Sequence, residues 1–428
     1  MPNTIICQKI VSGIKEMLLC DDFISKFRTP GAFTRKRKLS MYQVILFLLY
    51  TSKRSMNLNL SNIRVDLHSL GFPAVSKQAV SKARKGILPE LFLSLMHFVA
   101  ETFYLLTDQR RSWHGYYPFA IDGSKIQVPG NRDTLSYFGS AHNDKARHRT
   151  AMAAASVLYD VSHDIIADAL IHPFDHGERK AAGEHLAHLE NMGLHKNAVI
   201  LFDRGYHSFE LMQHIDDKGY YFLERVQKNI HAFADVASDD EIIDYYPSYK
   251  KEAQIEPVTV RVLHVLLDDG STEYLVTNLL SPAITPLMLK ELYFQRWLVE
   301  GKYMELKSRW ELEEFSGATH ISVEQEFFIN IMLSNLTAMI KADADKEIEQ
   351  TRRPDNKYHY QANRANIIGH MKDFLPLMLC GEKAVAAQLE WIYGEALKGR
   401  SQIQPDRKSK RPRVQLKRKH FNNRKRCI

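Results

Sequence analysis

Ala198-Val199-Ile200-Leu201-Phe202-Asp203 is a short apolar run closed by a carboxylate. Unbroken Val/Ile/Leu content over such a length predicts a strand buried on both faces. Upstream, residues 151–159 and 165–171 flank the turn Asp160-Val161-Ser162-His163-Asp164 and read as a hairpin. Residues 119–128 read as a strand or hairpin arm interrupted at Asp122-Gly123. A helix over 178–192 precedes the apolar run, and a helix from Ser208 and a strand over 220–224 follow it. Three strands, then helix, strand and helix, predict an α/β fold built on a mixed sheet.

Working outward, residues 1–110 carry apolar residues at helical spacing, as in 41–50 and 88–106, with Ser40 and Ser76 placed to cap helices. On a wheel of ~100° per residue, Ala79, Val80, Ala83 and Ile87 share one arc and Lys77, Ser81, Arg84 and Lys85 lie opposite. A small inner face with a basic outer face suits a helix lying in a DNA major groove; an ordinary solvated face fits equally well. Downstream, residues 227–285 read as a β-rich insertion, with a hairpin turn at Asp268-Asp269-Gly270-Ser271. A long helix over 286–310 and another over 323–342 return to the core. The expected divisions are a helical region (1–110), a core in two parts (111–226 and 286–345) around the insertion (227–285), a helical C-terminal region (346–404) and a basic tail (405–428).

The chain has 428 residues, of which 45% are hydrophobic and 25% charged, which excludes disordered, collagenous and small disulfide-stapled classes. No apolar run approaches the ~20 residues that span a bilayer, so no membrane partner is expected. Four scattered cysteines and a start without a basic, apolar leader predict a cytoplasmic setting. The net charge of +8 is concentrated: residues 405–428 hold eleven Lys/Arg and one acid, leaving −2 for the other 404 residues. Such a segment is too poor in apolar residues to fold alone and reads as an arm for a polyanion, nucleic acid first.

Common catalytic signatures are absent: no phosphate loop, nucleophile elbow or zinc helix occurs. His185 and His188, three apart, read as an exposed helix face. The carboxylates Asp122 and Asp203 stand out because each ends or interrupts an apolar strand. Buried and unpaired there, a carboxylate costs several kcal/mol, so each is expected to be exposed, paired or bound to metal. Capping of the next element is the plainer account of either one alone.

The segment 289–310 changes that balance. Tyr293, Arg296, Glu300 and Lys307 project within a ~60° arc beside an apolar stripe of Leu292, Val299, Tyr303, Leu306 and Trp310. An Arg296–Glu300 pair explains two of the four polar groups. Phosphate is the partner that wants arginine, lysine and phenol donors next to a metal-binding acid.

Tyr293-x-x-Arg296-x-x-x-Glu300-x-x-x-x-x-x-Lys307 resembles the Tyr-Arg-Glu-Lys signature of bacterial insertion-sequence transposases of the IS-four type, DDE enzymes with an RNase H-like core. The resemblance extends in order through 33–39, 76–84, Ile121-Asp122-Gly123-Ser124, Asn131-Arg132, Phe138-Gly139, Asp203-Arg204-Gly205-Tyr206 and Thr277-Asn278-Leu279, covering about residues 30–345. It departs at Met304, where some relatives carry a basic residue. The resemblance implies an RNase H-like mixed sheet with a helical N-terminal DNA-binding region, in which Lys77, Ser81, Arg84 and Lys85 meet DNA. It implies that Asp122, Asp203 and Glu300 hold two Mg2+ (or Mn2+) ions ~4 Å apart. Tyr293, Arg296 and Lys307 would grip a phosphate, and Trp297 would stack on an unpaired base unless it is a core residue. The implied partners are double-stranded DNA (terminal inverted repeats and target) and a second copy of the chain in a homodimer. The implied activity is cut-and-paste transposition, with a nuclease or resolvase that does not join strands, or an inactive DNA-binding remnant, as the competing readings.

Overall fold

In the computed structural model, which describes residues 1–35, 37–50, 55–107, 113–141, 149–247, 256–267 and 270–404, the first hundred residues are helical as their periodicity predicts. They form α1 (Asn3–Leu19), α2 (Asp21–Ser25), α3 (Met41–Tyr50), α4 (Met56–Asp66), α5 (Lys77–Arg84) and α6 (Glu90–Leu106). Ser40 and Ser76 cap as expected: their hydroxyls accept from the Gln43 and Ala79 N–H groups at 3.2 Å each.

The sheet begins with β1 (Tyr117–Gln127), then α7 (Arg132–Phe138), the short β2 (Ser140–Ala141), β3 (Thr150–Asp160) and β4 (Ile165–Pro173). After α8 (Glu178–Asn191), the apolar run is β5 (Ala198–Phe202), buried at every position. There follow α9 (Phe209–Asp217), β6 (Tyr221–Val226), α10 (His231–Ala234), β7 (Asp240–Tyr245), β8 (Val258–Leu266) and β9 (Thr272–Thr277). In space the strands run β4-β3-β1-β5-β6, with β3 antiparallel to both its neighbours and β5 and β6 parallel to β1. That is the order and direction an RNase H-like core requires.

Two expectations are corrected here. β1 is continuous through Asp122-Gly123, because β3 pairs with it from Phe119 to Gln127 and Asp122 stands opposite Val157. The expected insertion also extends the main sheet: β9 pairs antiparallel with β6 and continues through β8 to β7. Asn278 locks that junction, accepting from the Phe222 N–H at 2.9 Å and donating to Asp216 and to the Tyr220 carbonyl.

Beyond the sheet come α11 (Pro286–Gln295), α12 (Trp297–Ser308) and the 31-residue α13 (His320–Gln350). α13 is buried through most of its length, so its apolar residues surround the axis where a surface helix would show one stripe. It passes between the sheet and a helical bundle: Asn335 brackets β4 with hydrogen bonds to the Ile166 N–H and carbonyl. Asp343 accepts from Thr4 at the start of α1. β10 (Tyr360–Ala362), α14 (Arg364–Cys380), α15 (Val385–Lys398) and β11 (Arg400–Gln402) complete the described chain. α14 meets the first helices through the Tyr42 hydroxyl, which donates to the Leu379 carbonyl. Among the described residues no helix is long and apolar enough to cross a membrane. The basic tail, 405–428, and Asp268 and Asp269 of the hairpin turn lie outside the described residues.

Candidate active site

The parallel register of β1 and β5 ends at Ala120 opposite Leu201. Two residues further on, Asp122 and Asp203 leave the two strands side by side. Asp122 remains inside β1 but beyond the reach of β5, so its carboxylate escapes the sheet where the neighbouring strand stops. Its backbone is held firmly: the carbonyl accepts from the Tyr303 hydroxyl of α12 at 3.0 Å. Burial pushes the Asp122 carboxyl up to about 6, with Glu300 and Glu178 adding to the rise and Arg296 opposing it.

Arg296 is the cation at the centre of this acidic group. It is 3% exposed and sits at the joint between α11 and α12. The single helix expected over 286–310 is therefore two helices. At the joint the backbone tightens to three-residue bonds, Arg296 N–H to the Tyr293 carbonyl and Val299 N–H to the Arg296 carbonyl. The guanidinium bonds Glu300 at 3.2 Å. Burial works against its charge, but Tyr293, Asp203, Glu300 and Asp122 together hold it above the usual arginine value. The three acids singled out in the sequence thus bear on one buried guanidinium.

The remaining predicted residues divide. Tyr293 is 3% exposed and its hydroxyl is buried without a hydrogen-bond partner, next to Arg296 and Asp203 in its electrostatic surroundings. The Arg296 Nε is unpartnered in the same way. Lys307 lies at β1, donating to the Lys125 carbonyl at 2.8 Å, three residues along from Asp122. Trp297 is 47% exposed, so the core reading fails; its ring lies 4.9 Å from the Arg296 guanidinium. The apolar stripe from Leu292 to Trp310 is buried as expected.

On the N-terminal side, Lys77, Ser81 and Lys85 are exposed on α5. Arg84 is not: it is 3% exposed, pairs with Glu326 at 3.0 Å and bonds Gln325 and the Ser322 carbonyl of α13. The wheel placed it on the polar face correctly, but that flank of the helix packs on another element. A groove of about 1130 Å³ separates the 29–39 segment from α5, lined by Arg35, Arg37, Lys38, Lys82 and Lys85.

His185 overturns another expectation. It is fully buried, Nδ1 at 2.7 Å from Asp168 and Nε2 at 2.9 Å from the Ser156 hydroxyl. The order is that of a Ser-His-Asp relay, but all three side chains are enclosed and the network ties α8 to β3 and β4. His97 completes it with a 2.8 Å bond to Asp168.

Three residues near the acids escaped the sequence reading in functional terms: Glu178, Tyr206 and Tyr303. Tyr303 was assigned to the apolar stripe, and its phenol is what reaches Asp122. Tyr206 follows Asp203 in a tight turn, its N–H bonding the Asp203 carbonyl at 3.0 Å. Glu178 opens α8 and carried no signal beyond an acid at a helix start.

The donor set fits hard divalent cations, since Asp122, Asp203 and Glu300 offer carboxylate oxygens and no thiol or imidazole. Residues 113–336 match the sequence profile described as the transposase DDE domain. "Putative transposase InsZ" of Escherichia coli (strain K12) is 26% identical over 193 residues, covering 44% of this chain and 61% of that protein. The chain thus matches about three fifths of that relative's length. A solved piggyBac transposase synaptic complex with hairpin DNA aligns with 93% of this chain and 85% of its own at 10% identity and a TM-score of 0.45.

Proposed function

Because the chain belongs to the transposase DDE-domain family, whose profile spans half of it, we propose that it cuts and rejoins DNA at the site formed by Asp122, Asp203 and Glu300. The observation that carries this reading is that Asp122 and Asp203 lie side by side just past the end of the β1–β5 register, with Glu300 bonded to buried Arg296 at 3.2 Å. Asp122, Asp203 and Glu300 are the residues that would hold two Mg2+ or Mn2+ ions. When bound, the ions polarise the scissile phosphate and lower the pKa of the attacking hydroxyl or water.

The protein's own groups do the rest. Arg296 and Tyr293 each keep a buried donor atom unpartnered, and a phosphate oxygen satisfies both. Trp297, exposed beside them, offers a face on which an unpaired base near the cut can stack. Lys307 secures β1 through the Lys125 carbonyl and brings positive charge near the strand that carries Asp122. The basic groove between the 29–39 segment and α5 takes the duplex backbone, and the tail beyond residue 404 adds further cations. Water first cuts the element's strand to free a 3′-hydroxyl, and that hydroxyl then attacks target DNA. Two copies of the chain bridge the two element ends.

The test is cleavage and joining of a labelled terminal-repeat substrate in Mg2+. Asp122→Asn, Asp203→Asn and Glu300→Gln are each expected to lose cleavage by at least a hundredfold while DNA binding persists. Near-wild-type cleavage by any of the three contradicts the site, and hydrolysis without joining of a precut end makes the protein a nuclease.

A further inference from the structure

A fourth carboxylate reaches the acidic cluster from a separate element. Glu178 is the first residue of α8, and its side chain lies against β1 next to Asp122 and against the turn after β5 that holds Asp203. A Cβ built on Gly123 would stand 3.2 Å from Glu178 Oε1 and 3.4 Å from its Cγ. One built on Gly205 would stand 3.7 Å from Oε2. Neither glycine has a positive φ, so at Gly123 the missing side chain provides room, not backbone freedom. The two glycines follow Asp122 and Asp203 by one and two residues, and one carboxylate approaches both.

An acid in a first turn is ordinarily explained by the positive end of its own helix. Here the carboxylate is turned onto β1 and the turn after β5. A second, independent observation lies beneath it. The Tyr206 hydroxyl is buried without a hydrogen-bond partner in a residue 2% exposed, and the charges bearing on it are foremost those of Asp122, Glu178 and Asp203. A buried hydroxyl left unsatisfied costs free energy, and a ligand oxygen among the acids would satisfy it.

We propose that Glu178 is a fourth oxygen ligand of the divalent-cation site, acting with Asp122, Asp203 and Glu300 and with the Tyr206 hydroxyl facing the ligands. This deepens the reading above and rests on it.

The experiment measures Mn2+ binding to the full-length chain without DNA, by the loss of the free-ion electron paramagnetic resonance signal. Thermal melting is followed with and without Mn2+. Glu178→Gln is expected to weaken Mn2+ binding on the order of 10–100-fold, and Glu178→Asp to recover part of the loss. Metal-free Glu178→Gln is expected to melt at or above the wild-type temperature, because like-charge repulsion is relieved; a purely structural glutamate would lower it. Glu190→Gln, near the far end of the same helix, serves as the control with wild-type affinity. If Glu178→Gln binds Mn2+ as the wild type does while Asp203→Asn does not, the fourth ligand is refuted and the three-acid site stands. If Asp122→Asn and Asp203→Asn also bind normally, the site reading itself falls.

Discussion

Arg296 shows how a single residue holds a cluster that would otherwise repel itself. It is buried against Tyr293, bonded to Glu300 and under the influence of Asp203 and Asp122, so removing it strands several carboxylates in a partly enclosed space. Arg296→Ala is expected to destabilise the metal-free protein by about 1–2 kcal/mol, since Arg296 is buried but Glu300 is 40% exposed and screened by solvent. Part of that loss should return when Mn2+ is added, which chemical denaturation with and without the ion would measure. An unchanged midpoint in both conditions would remove Arg296 from the cluster. Asp122 and Asp203 were readable in the sequence because a charge at an apolar strand end is costly and demands a reason. Glu178 was not, because a first-turn glutamate on an amphipathic helix looks the same whatever its carboxylate reaches. Arg84 was misread for a related reason: a helical wheel separates polar from apolar faces but cannot tell solvent from the polar end of another helix.

At the scale of elements, the question is what keeps α12, and so Glu300, fixed over the sheet. Lys302, 3% exposed, pairs with Asp164 at 2.8 Å in the turn between β3 and β4. Arg364, at the start of α14, pairs with Asp164 and with Glu305, the latter at 2.6 Å. Burial alone would push the Asp164 carboxyl up, but Lys302 and Arg364 outweigh it and hold it at about 2. Since this lies below its ordinary value of 3.8, the pairing stabilises the fold at pH above that value. The contribution fades as pH falls through about 2. Lys302→Met is expected to cost about 3 kcal/mol at neutral pH and to flatten the acid limb of a stability-against-pH curve below pH 4. A parallel curve, merely shifted downward, would contradict the assignment. The hairpin turn was legible as a turn, yet its tie to a helix more than a hundred residues away was not, because no local pattern records which ion pairs folding will bring together.

At the scale of the whole molecule, the mixed α/β sheet followed from the alternation of apolar runs and helices. The joining of β7–β9 to the same sheet did not, since pairing of β9 with β6 depends on the free edge of β6 and on Asn278, not on any feature of the strands alone. The charge layout gives the molecule a working direction, with a basic groove in the helical N-terminal region and acids at the sheet. Lys85→Ala should weaken DNA binding across sequences and lower the slope of log affinity against log salt by about one phosphate contact. Arg84→Ala, by contrast, should lower stability, because it removes the cation paired with the buried Glu326 carboxylate. Deleting residues 405–428 should flatten the salt slope further, and an unchanged slope would leave the tail without a DNA contact.

Carboxylates from β1, the turn after β5 and α12 are expected to share divalent ions. A crystal of the full chain soaked in Mn2+, with anomalous scattering recorded at the manganese edge, tests this most directly. The predicted result is manganese between Asp122, Asp203 and Glu300; manganese confined to another place, such as the His172, His176 and Glu184 group, with those three acids free of it, would contradict the account.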